Sequence, residues 1–161
     1  MASSSKNLSQ HSGKNTQNLP DKKIAVVVSE WNEEVTESLF NGALETLLNH
    51  GVIKENIIRR NVPGSFELPL SAQWMAARED IDAVICLGCV IQGETRHFDF
   101  ICDAVAQGIT QVSLKFNKPV IFGVLTPNTQ QQAFDRAGGK HGNKGDEAAI
   151  TAIKMLNFQA E

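Results

Sequence analysis

The sequence predicts an α/β protein, a three-layer α/β/α sandwich in which helices cover both faces of a four-stranded parallel sheet. Short, continuous apolar runs alternate with longer amphipathic stretches along the chain. Apolar runs of this kind are typical of strands that are buried on both faces. Strand–helix alternation with right-handed crossovers then produces a parallel sheet between two layers of helices.

The first half of the predicted domain contains two strand–helix units. A strand is predicted over residues 23–31, and the helix after it begins at Asn32, a favourable N-cap residue, and stops at Gly51. Apolar residues spaced four apart give this helix one buried face. The second strand is predicted over residues 56–62, and residues 63–80 form a turn that enters the second helix.

The second half repeats the pattern. Its predicted elements are a strand over residues 83–91, a helix over 97–116, a strand over 118–126, a helix over 129–138, a loop over 139–145 and a closing helix over 146–158. Ligands of such sheets bind beyond the carboxyl ends of the strands. We therefore expect the polar segments that follow the four strands to converge in space.

Composition sets the domain organisation and excludes some partners. The chain has 161 residues, of which 42% are hydrophobic, and a net charge of -3; this fits one domain and disfavours nucleic acid or an anionic membrane as partner. Residues 1–21 are polar and are expected to form a disordered tail before a domain over 22–161. Neither a membrane span nor a signal peptide is evident, so a cytoplasmic protein is expected.

Cys86 and Cys89 form a C-x-x-C motif, which in other contexts binds metal. Within a strand, positions three apart point to opposite faces, and no second pair of ligands completes a zinc site. We expect both thiols to be buried and inert.

His97 is the strongest catalytic candidate from position alone. It follows the loop GETR at the predicted start of a helix, where free backbone N–H groups attract anions. A neutral imidazole here could act as a general base at pH 7. A histidine that is merely exposed, or satisfied by the helix start, fits the same position.

Four other residues have both a functional and a structural interpretation. Glu67 could contact a ligand or cap a helix, and Arg136 could bind a ligand or the end of its own helix. Lys144 lies in GNKG, which resembles a small anion-binding loop without the full phosphate-loop spacing. Trp31 could pack in the core or offer a face to a planar ligand.

Four motifs, in the same order, resemble the 6,7-dimethyl-8-ribityllumazine synthase (lumazine synthase) family. They are PGSFELP at 63–69, GCVIQGETRHFDF at 88–100, FGVLT at 122–126 and RAGGKHGNKGDEAA at 136–149. The resemblance runs from about Lys23 to Phe158 and implies a flavodoxin-like fold.

The resemblance implies a transferase that acts without metal or organic cofactor. The family condenses 5-amino-6-(D-ribitylamino)uracil with 3,4-dihydroxy-2-butanone 4-phosphate, releasing phosphate and water, in the penultimate step of riboflavin biosynthesis. The backbone of Gly93, Glu94 and Thr95 would bind the phosphate, and His97 would move protons.

The resemblance also implies a shared site for these small-molecule substrates. One subunit would supply Trp31 as the stacking ring, Ser65, Phe66 and Glu67 near the ribityl chain, and the backbone of Cys89, Val90 and Ile91. A neighbour would supply Phe122, Arg136 for the phosphate and Lys144 for a pyrimidine carbonyl. The protein would then be a homo-oligomer, a pentamer, decamer or 60-subunit icosahedral capsid, with riboflavin synthase as an associated partner.

Two residues depart from the family pattern. Trp31 stands where phenylalanine is more common, and Cys89 replaces the usual alanine or threonine. We expect the wider indole to bind riboflavin or flavin mononucleotide by stacking, and the cysteine to have little effect because the family uses that residue through its backbone.

Other functions on the same architecture remain as alternatives. A flavodoxin should carry a hydroxyl-rich loop after its first strand, and SEWNEE holds one hydroxyl and three acids. A phosphate receiver should carry an aspartate after the third strand, and IQGETR has none. A shell or flavin-binding protein that has lost turnover is a further alternative, which an intact His97 and Arg136 disfavour.

Overall fold

The fold is built on a parallel sheet, and the computed structural model describes residues 19–160. Within this range the sheet has four parallel strands in the order β2-β1-β3-β4. These strands are β1 (Ile24–Ser29), β2 (Ile57–Val62), β3 (Ala83–Cys89) and β4 (Val120–Leu125). The predicted α/β sandwich with a four-stranded, flavodoxin-like parallel sheet is confirmed. Each strand is one to three residues shorter than predicted: β1 and β3 lose mainly their last two residues, which turn toward the site, β2 loses its first residue, and β4 loses two residues at its start and one at its end.

Helices form the outer two layers. They are α1 (Glu33–Asn49), α2 (Leu68–Ala76), α3 (His97–Phe116), the short α4 (Gln130–Phe134) and α5 (Lys144–Ala160). Helices α1 and α5 pack on one face of the sheet, and α2 and α3 pack on the other. Every residue of β1 and β3 is buried, as expected for the two inner strands of a sheet that is covered on both sides.

The alternation of side chains along β3 separates the two cysteines. Cys86 packs in the α2/α3 core and Cys89 in the α1/α5 core. Burial raises the pKa of each thiol to about 12. The prediction that these residues face opposite sides as buried thiols is confirmed.

The start of α1 differs from the prediction in one respect. Asn32 precedes the helix, but its side chain makes no capping hydrogen bond, and its backbone is left-handed with φ 62°. The side-chain amide instead donates to the carbonyl oxygen of Cys89 over 2.9 Å. Asn32 as a side-chain cap is therefore wrong, whereas Gly51 does end the helix with a φ of 87°.

The segment predicted as a loop over residues 139–145 is more regular than expected. Strands β5 (Ala137–Gly139) and β6 (Gly142–Asn143) form a small antiparallel hairpin. Helix α5 then begins at Lys144, two residues before the predicted start, because Asn143 Oδ1 accepts the N–H of Gly145 over 2.8 Å. The preceding helix, α4, is correspondingly shorter than the predicted 129–138.

Helices α1 and α5 cross at very short range, and this contact fixes the start of α5. A Cβ atom at Gly145 would lie 1.8 Å from the carbonyl oxygen of Leu39. A Cβ atom at Gly42 would lie 2.2 Å from Asp146 Oδ1. Gly145 is required by the close approach of the Leu39 backbone, and a side chain at position 42 would have to displace the side chains of Asp146 and Asn143. Lys144 is therefore held in a defined position relative to α1.

The predicted tail over residues 1–21 falls mostly outside the described residues, since positions 1–18 are not described. Its last residues are part of the fold. Leu19 is 8% exposed and packs in the α1/α5 core, and the carbonyl oxygen of Pro20 accepts the side-chain amide of Asn56 over 3.0 Å. Leu19 and Pro20 therefore pack against the domain although they fall within the predicted tail, and the rest of that prediction lies outside the described residues.

Among the described residues, no helix combines the length and apolar character needed to cross a membrane.

Candidate active site

Two cavities open near the carboxyl ends of the strands. The first has a volume of about 440 Å³ and lies between the segments that follow β1, β2 and β3. Nine residues assigned by the resemblance line it: Trp31, Ser65, Phe66, Cys89, Val90, Ile91, Gly93, Thr95 and His97. The expected convergence of these three strand ends is observed.

Trp31 lies at the mouth of the first cavity, with 73% of its surface exposed. The turn that carries it is tied to the end of β2, since Glu30 N–H donates to the carbonyl oxygen of Val62 over 2.8 Å and Trp31 N–H donates to that of Pro63 over 3.1 Å. The indole is therefore not a core side chain, and a planar ligand can reach its face.

His97 is the first residue of α3 and lines the same cavity as Trp31. The exposed loop Gly93–Thr95 immediately precedes it, and its own N–H lies 3.4 Å from Thr95 Oγ1. The start of a 20-residue helix presents free N–H groups and a partial positive charge. The arrangement places an imidazole side chain at the start of this helix, within the first cavity.

Ser65 lies at the turn between β2 and α2, packed against β3. A Cβ atom at Gly88 would lie 2.6 Å from Ser65 Oγ, so only glycine at position 88 allows this approach. Ser65 Oγ is buried and has no hydrogen-bond partner within the described part of the chain.

Among the residues assigned to the same subunit as Trp31 and His97, Glu67 and Glu94 do not line the first cavity. Glu94 is exposed in the loop before α3. Glu67 makes no capping hydrogen bond to α2, so the capping interpretation is wrong. Its carboxylate lies beside Gly64, where a Cβ atom would be 3.2 Å from Glu67 Oε2.

The second cavity, of about 680 Å³, lies between β4, α4 and the first turns of α5. Phe122, Arg136 and Lys144 all line it. Arg136 Nη1 donates to the carbonyl oxygen of Gln132 over 3.2 Å, so the predicted interaction with its own helix is present. Lys144 Nζ is 2.6 Å from Glu147 Oε1.

The two sets of lining residues have no member in common over residues 19–160. A single protomer therefore does not bring Phe122, Arg136 and Lys144 together with Trp31 and His97.

Sequence reasoning missed several residues that line these cavities, among them Glu147, Gln132 and Asn32. Glu147 is three positions after Lys144, a helical spacing that predicts an ion pair, so this residue could have been found. Gln132 takes part through its backbone carbonyl oxygen, which accepts a hydrogen bond from Arg136. Asn32 takes part through a hydrogen bond to Cys89, which is 57 residues away in sequence. Neither contact leaves a sequence signal.

Comparisons with known proteins show the family of this chain. Residues 21–160 match the family described as 6,7-dimethyl-8-ribityllumazine synthase. A protein of that name from Cytophaga hutchinsonii is 69% identical over 156 residues, covering 97% of this chain and 98% of its own length. Another from Parabacteroides distasonis is 52% identical over 160 residues, with 99% and 100% covered. The chain belongs to the 6,7-dimethyl-8-ribityllumazine synthase family, a family of transferase enzymes.

Proposed function

We propose that this protein condenses 5-amino-6-(D-ribitylamino)uracil with 3,4-dihydroxy-2-butanone 4-phosphate to give 6,7-dimethyl-8-ribityllumazine, phosphate and water, the penultimate step of riboflavin biosynthesis. The observation that carries the proposal is the first cavity, which places an exposed aromatic face, Trp31, in the same space as His97 and a helix start. A planar pyrimidine and an anionic four-carbon substrate need these two environments side by side.

The phosphate of the four-carbon substrate binds at the backbone of Gly93, Glu94 and Thr95. The loop is exposed and directly precedes α3, and N–H groups at a helix start bind phosphate with the help of the helix dipole. Arg136 from the second cavity adds a charge-assisted contact to the same group.

His97 transfers protons during imine formation, loss of phosphate and ring closure. This role is supported by the cavity that His97 shares with Gly93 and Thr95, and a positioned histidine is a suitable acid and base for such steps. Much of the rate arises from holding two reactants in register, which can contribute roughly 7–11 kcal/mol. No covalent nucleophile is required.

The remaining substrate contacts follow the division between the cavities. Ser65, Phe66 and Glu67 lie beside the ribityl chain, and the backbone of Cys89, Val90 and Ile91 contacts the pyrimidine. Phe122, Arg136 and Lys144 come from a neighbouring subunit whose second cavity faces the first. Phe66 and Phe122, which are 57% and 43% exposed, support this arrangement because exposed apolar side chains around a cavity are typical of surfaces that another chain covers.

The resulting contact is head-to-tail, and such contacts are satisfied by closed rings. We propose a ring of at least five subunits. The short hairpin between Arg136 and Lys144 favours a 60-subunit shell, and riboflavin synthase is the partner proposed for it.

The decisive experiment mixes the purified protein with both substrates and follows lumazine absorbance together with phosphate release. Product that forms in proportion to enzyme supports the proposal. Absence of product at any enzyme level would instead favour a shell or flavin-binding protein without turnover. Sedimentation of the active species tests the assembly, since an active monomer would contradict the shared site.

A further inference from the structure

We infer that Asn32 is a positioning residue for the pyrimidine substrate, because its side-chain amide ties the turn that carries Trp31 to the carboxyl end of β3. The inference rests on the proposed function for its kinetic consequences. Its structural consequence, a fixed indole at the mouth of the first cavity, can be measured independently.

The tie connects two distant parts of the chain within the first cavity. Asn32 Nδ2 donates to the carbonyl oxygen of Cys89 over 2.9 Å. Both residues line the cavity, and Cys89 is the buried last residue of β3. The bond therefore joins the turn between β1 and α1 to an inner strand of which every residue is buried.

The backbone conformation of Asn32 favours glycine, so the presence of an asparagine side chain needs a separate explanation. Its φ of 62° and ψ of 45° are left-handed, a conformation that glycine adopts without steric penalty and that asparagine only tolerates. Helix α1 does not use the side chain, which makes no capping hydrogen bond; the contribution of Asn32 to the helix is its carbonyl oxygen, which accepts the N–H groups of Val35 and Thr36 over 2.9 and 3.1 Å. Glycine would serve this backbone equally well, so the contribution specific to asparagine is the bond to Cys89.

The orientation of Trp31 depends on such ties, because most of its side chain is exposed and little packing holds it. Two backbone bonds, from Glu30 and Trp31 to the end of β2, hold the residues before and at the indole. Asn32 supplies the tie on the other side, to β3. Without it the turn keeps its bonds to the end of β2 and the donation from Ser29 Oγ to the carbonyl oxygen of Trp31 over 3.4 Å, but it loses its tie to β3, and the ring should be less restrained over the cavity.

The same bond orients the Cys89 carbonyl, part of the strand-end backbone proposed to contact the pyrimidine. Contacts to the phosphorylated substrate lie elsewhere, at the loop before α3 and in the second cavity. Loss of the amide should therefore affect one substrate more than the other.

The test compares Asn32→Gly, which keeps the left-handed backbone and removes the amide, with Asn117→Gly as the matched control. Asn117 is the other non-glycine residue with positive φ within residues 19–160 (φ 49°). It lies at the far end of α3, outside both cavities. Asn32→Asp is the second variant, because it keeps the size of the side chain but cannot donate to Cys89.

All forms carry Trp74→Phe so that Trp31 is the single indole, given that the chain has two tryptophans. Steady-state anisotropy and acrylamide quenching then report on the mobility and exposure of Trp31 without any substrate. We expect lower anisotropy and faster quenching in both Asn32 variants, and no change in Asn117→Gly.

In kinetics, we expect the KM for the pyrimidine to rise by about two- to tenfold in Asn32→Gly, as for the loss of one hydrogen bond. The KM for the phosphorylated substrate should change by less than about twofold on the same scale. Unchanged anisotropy together with an unchanged pyrimidine KM in both variants overturns the inference, even if melting temperatures fall. If the parent forms no lumazine, the proposed function fails, and the anisotropy comparison alone still decides the role of Asn32.

Discussion

Lys144 and Arg136, the two cations of the second cavity, are joined through the backbone: the N–H of Lys144 donates to the carbonyl oxygen of Arg136 over 2.9 Å. Between them the chain makes the β5–β6 hairpin, with Gly138 and Gly142 at φ 103° and 74°. Glycine adopts these conformations without steric penalty, so the hairpin closes tightly. The hairpin therefore fixes the backbone positions of Arg136 and Lys144 relative to each other.

Asp135 should control the stability of that hairpin. Its carboxylate accepts hydrogen bonds from Gln131 Nε2 and Lys140 Nζ, both at 3.0 Å, and these bonds, that from Gln131 first, lower the pKa of Asp135. A lowered pKa adds stability above the ordinary pKa of aspartate, which is lost as pH falls through the lowered value. Asp135→Asn should therefore melt at a lower temperature than the parent at pH 7, and the gap should close in strong acid. A gap that is independent of pH would contradict this.

The pKa of Asp146, in the first turn of α5, is shifted in the opposite direction to that of Asp135, so its effect on stability should also be opposite. Burial first, then the charges of Glu45 on α1 and Glu147 on α5, raise its pKa. The stability contributed by such a group is present below the ordinary pKa of aspartate and is lost as pH rises through the raised value. Asp146→Asn should be more stable than the parent at pH 7 by a few tenths of a kcal/mol, about 1 °C, because the group is partly exposed and the helix start favours its charge.

Calorimetry between pH 3 and 8 measures this difference, and Asp103→Asn, at an exposed position on α3, is the control. Equal melting temperatures for Asp146→Asn and the parent at every pH would show that the ionised carboxylate is well accommodated at the α1–α5 crossing.

Substitutions of His97 and Arg136 should affect different kinetic parameters. His97→Ala should slow the chemical step and leave measurable activity, since positioning supplies much of the rate. Arg136→Ala should mainly raise the KM for the phosphorylated substrate, because the lost charge-assisted contact acts on binding. Single-turnover and steady-state assays distinguish the two. A His97→Ala protein with the parental single-turnover rate would remove this residue from the proposed mechanism.

Mixed assemblies test the division between the cavities directly. If His97 and Arg136 of one site belong to different subunits, co-refolding His97→Ala with Arg136→Ala in equal amounts restores both residues at about a quarter of the sites in closed rings. Activity of the mixture should exceed the mean of the two separate variants. Activity equal to that mean would place both residues in the same subunit's site.

Trp31→Phe should separate flavin binding from turnover. The indole has an exposed face at the first cavity, and the larger ring should favour wide, electron-poor ligands. Stacking pairs contribute about 0.5–1.5 kcal/mol beyond buried area, so riboflavin or flavin mononucleotide should bind several-fold to about tenfold more weakly to the variant. Quenching of flavin fluorescence in a titration measures this. Equal affinities would mean that Trp31 does not stack on flavins.

Much of the fold followed from the pattern of apolar residues. Helix α3 spans His97–Phe116, the same residues as predicted, because the loop GETR and Asn117 mark its two ends clearly. The inner strands were evident because both their faces are buried and their side chains are apolar throughout.

Other features depend on contacts that the sequence pattern does not encode. The Asn32 amide could cap a helix or reach Cys89, and only the packing of β3 beside β1 decides between them. The β5–β6 hairpin is too short and too rich in glycine to show strand periodicity, and Leu19 is an isolated apolar residue in a polar segment. The separation of Arg136 and Lys144 from His97 is set by strand order, with β4 at the sheet edge.

In the described part of the chain, the two cavities share no lining residue, and this determines how many complete sites an assembly contains per subunit. Under the shared-site proposal, each subunit contributes halves to two different sites. An open row of subunits then always has one site fewer than its members, whereas a ring has as many sites as subunits. Dilution that opens or dissociates rings would lower the activity per subunit without altering a single side chain, so the turnover number would become a property of protein concentration.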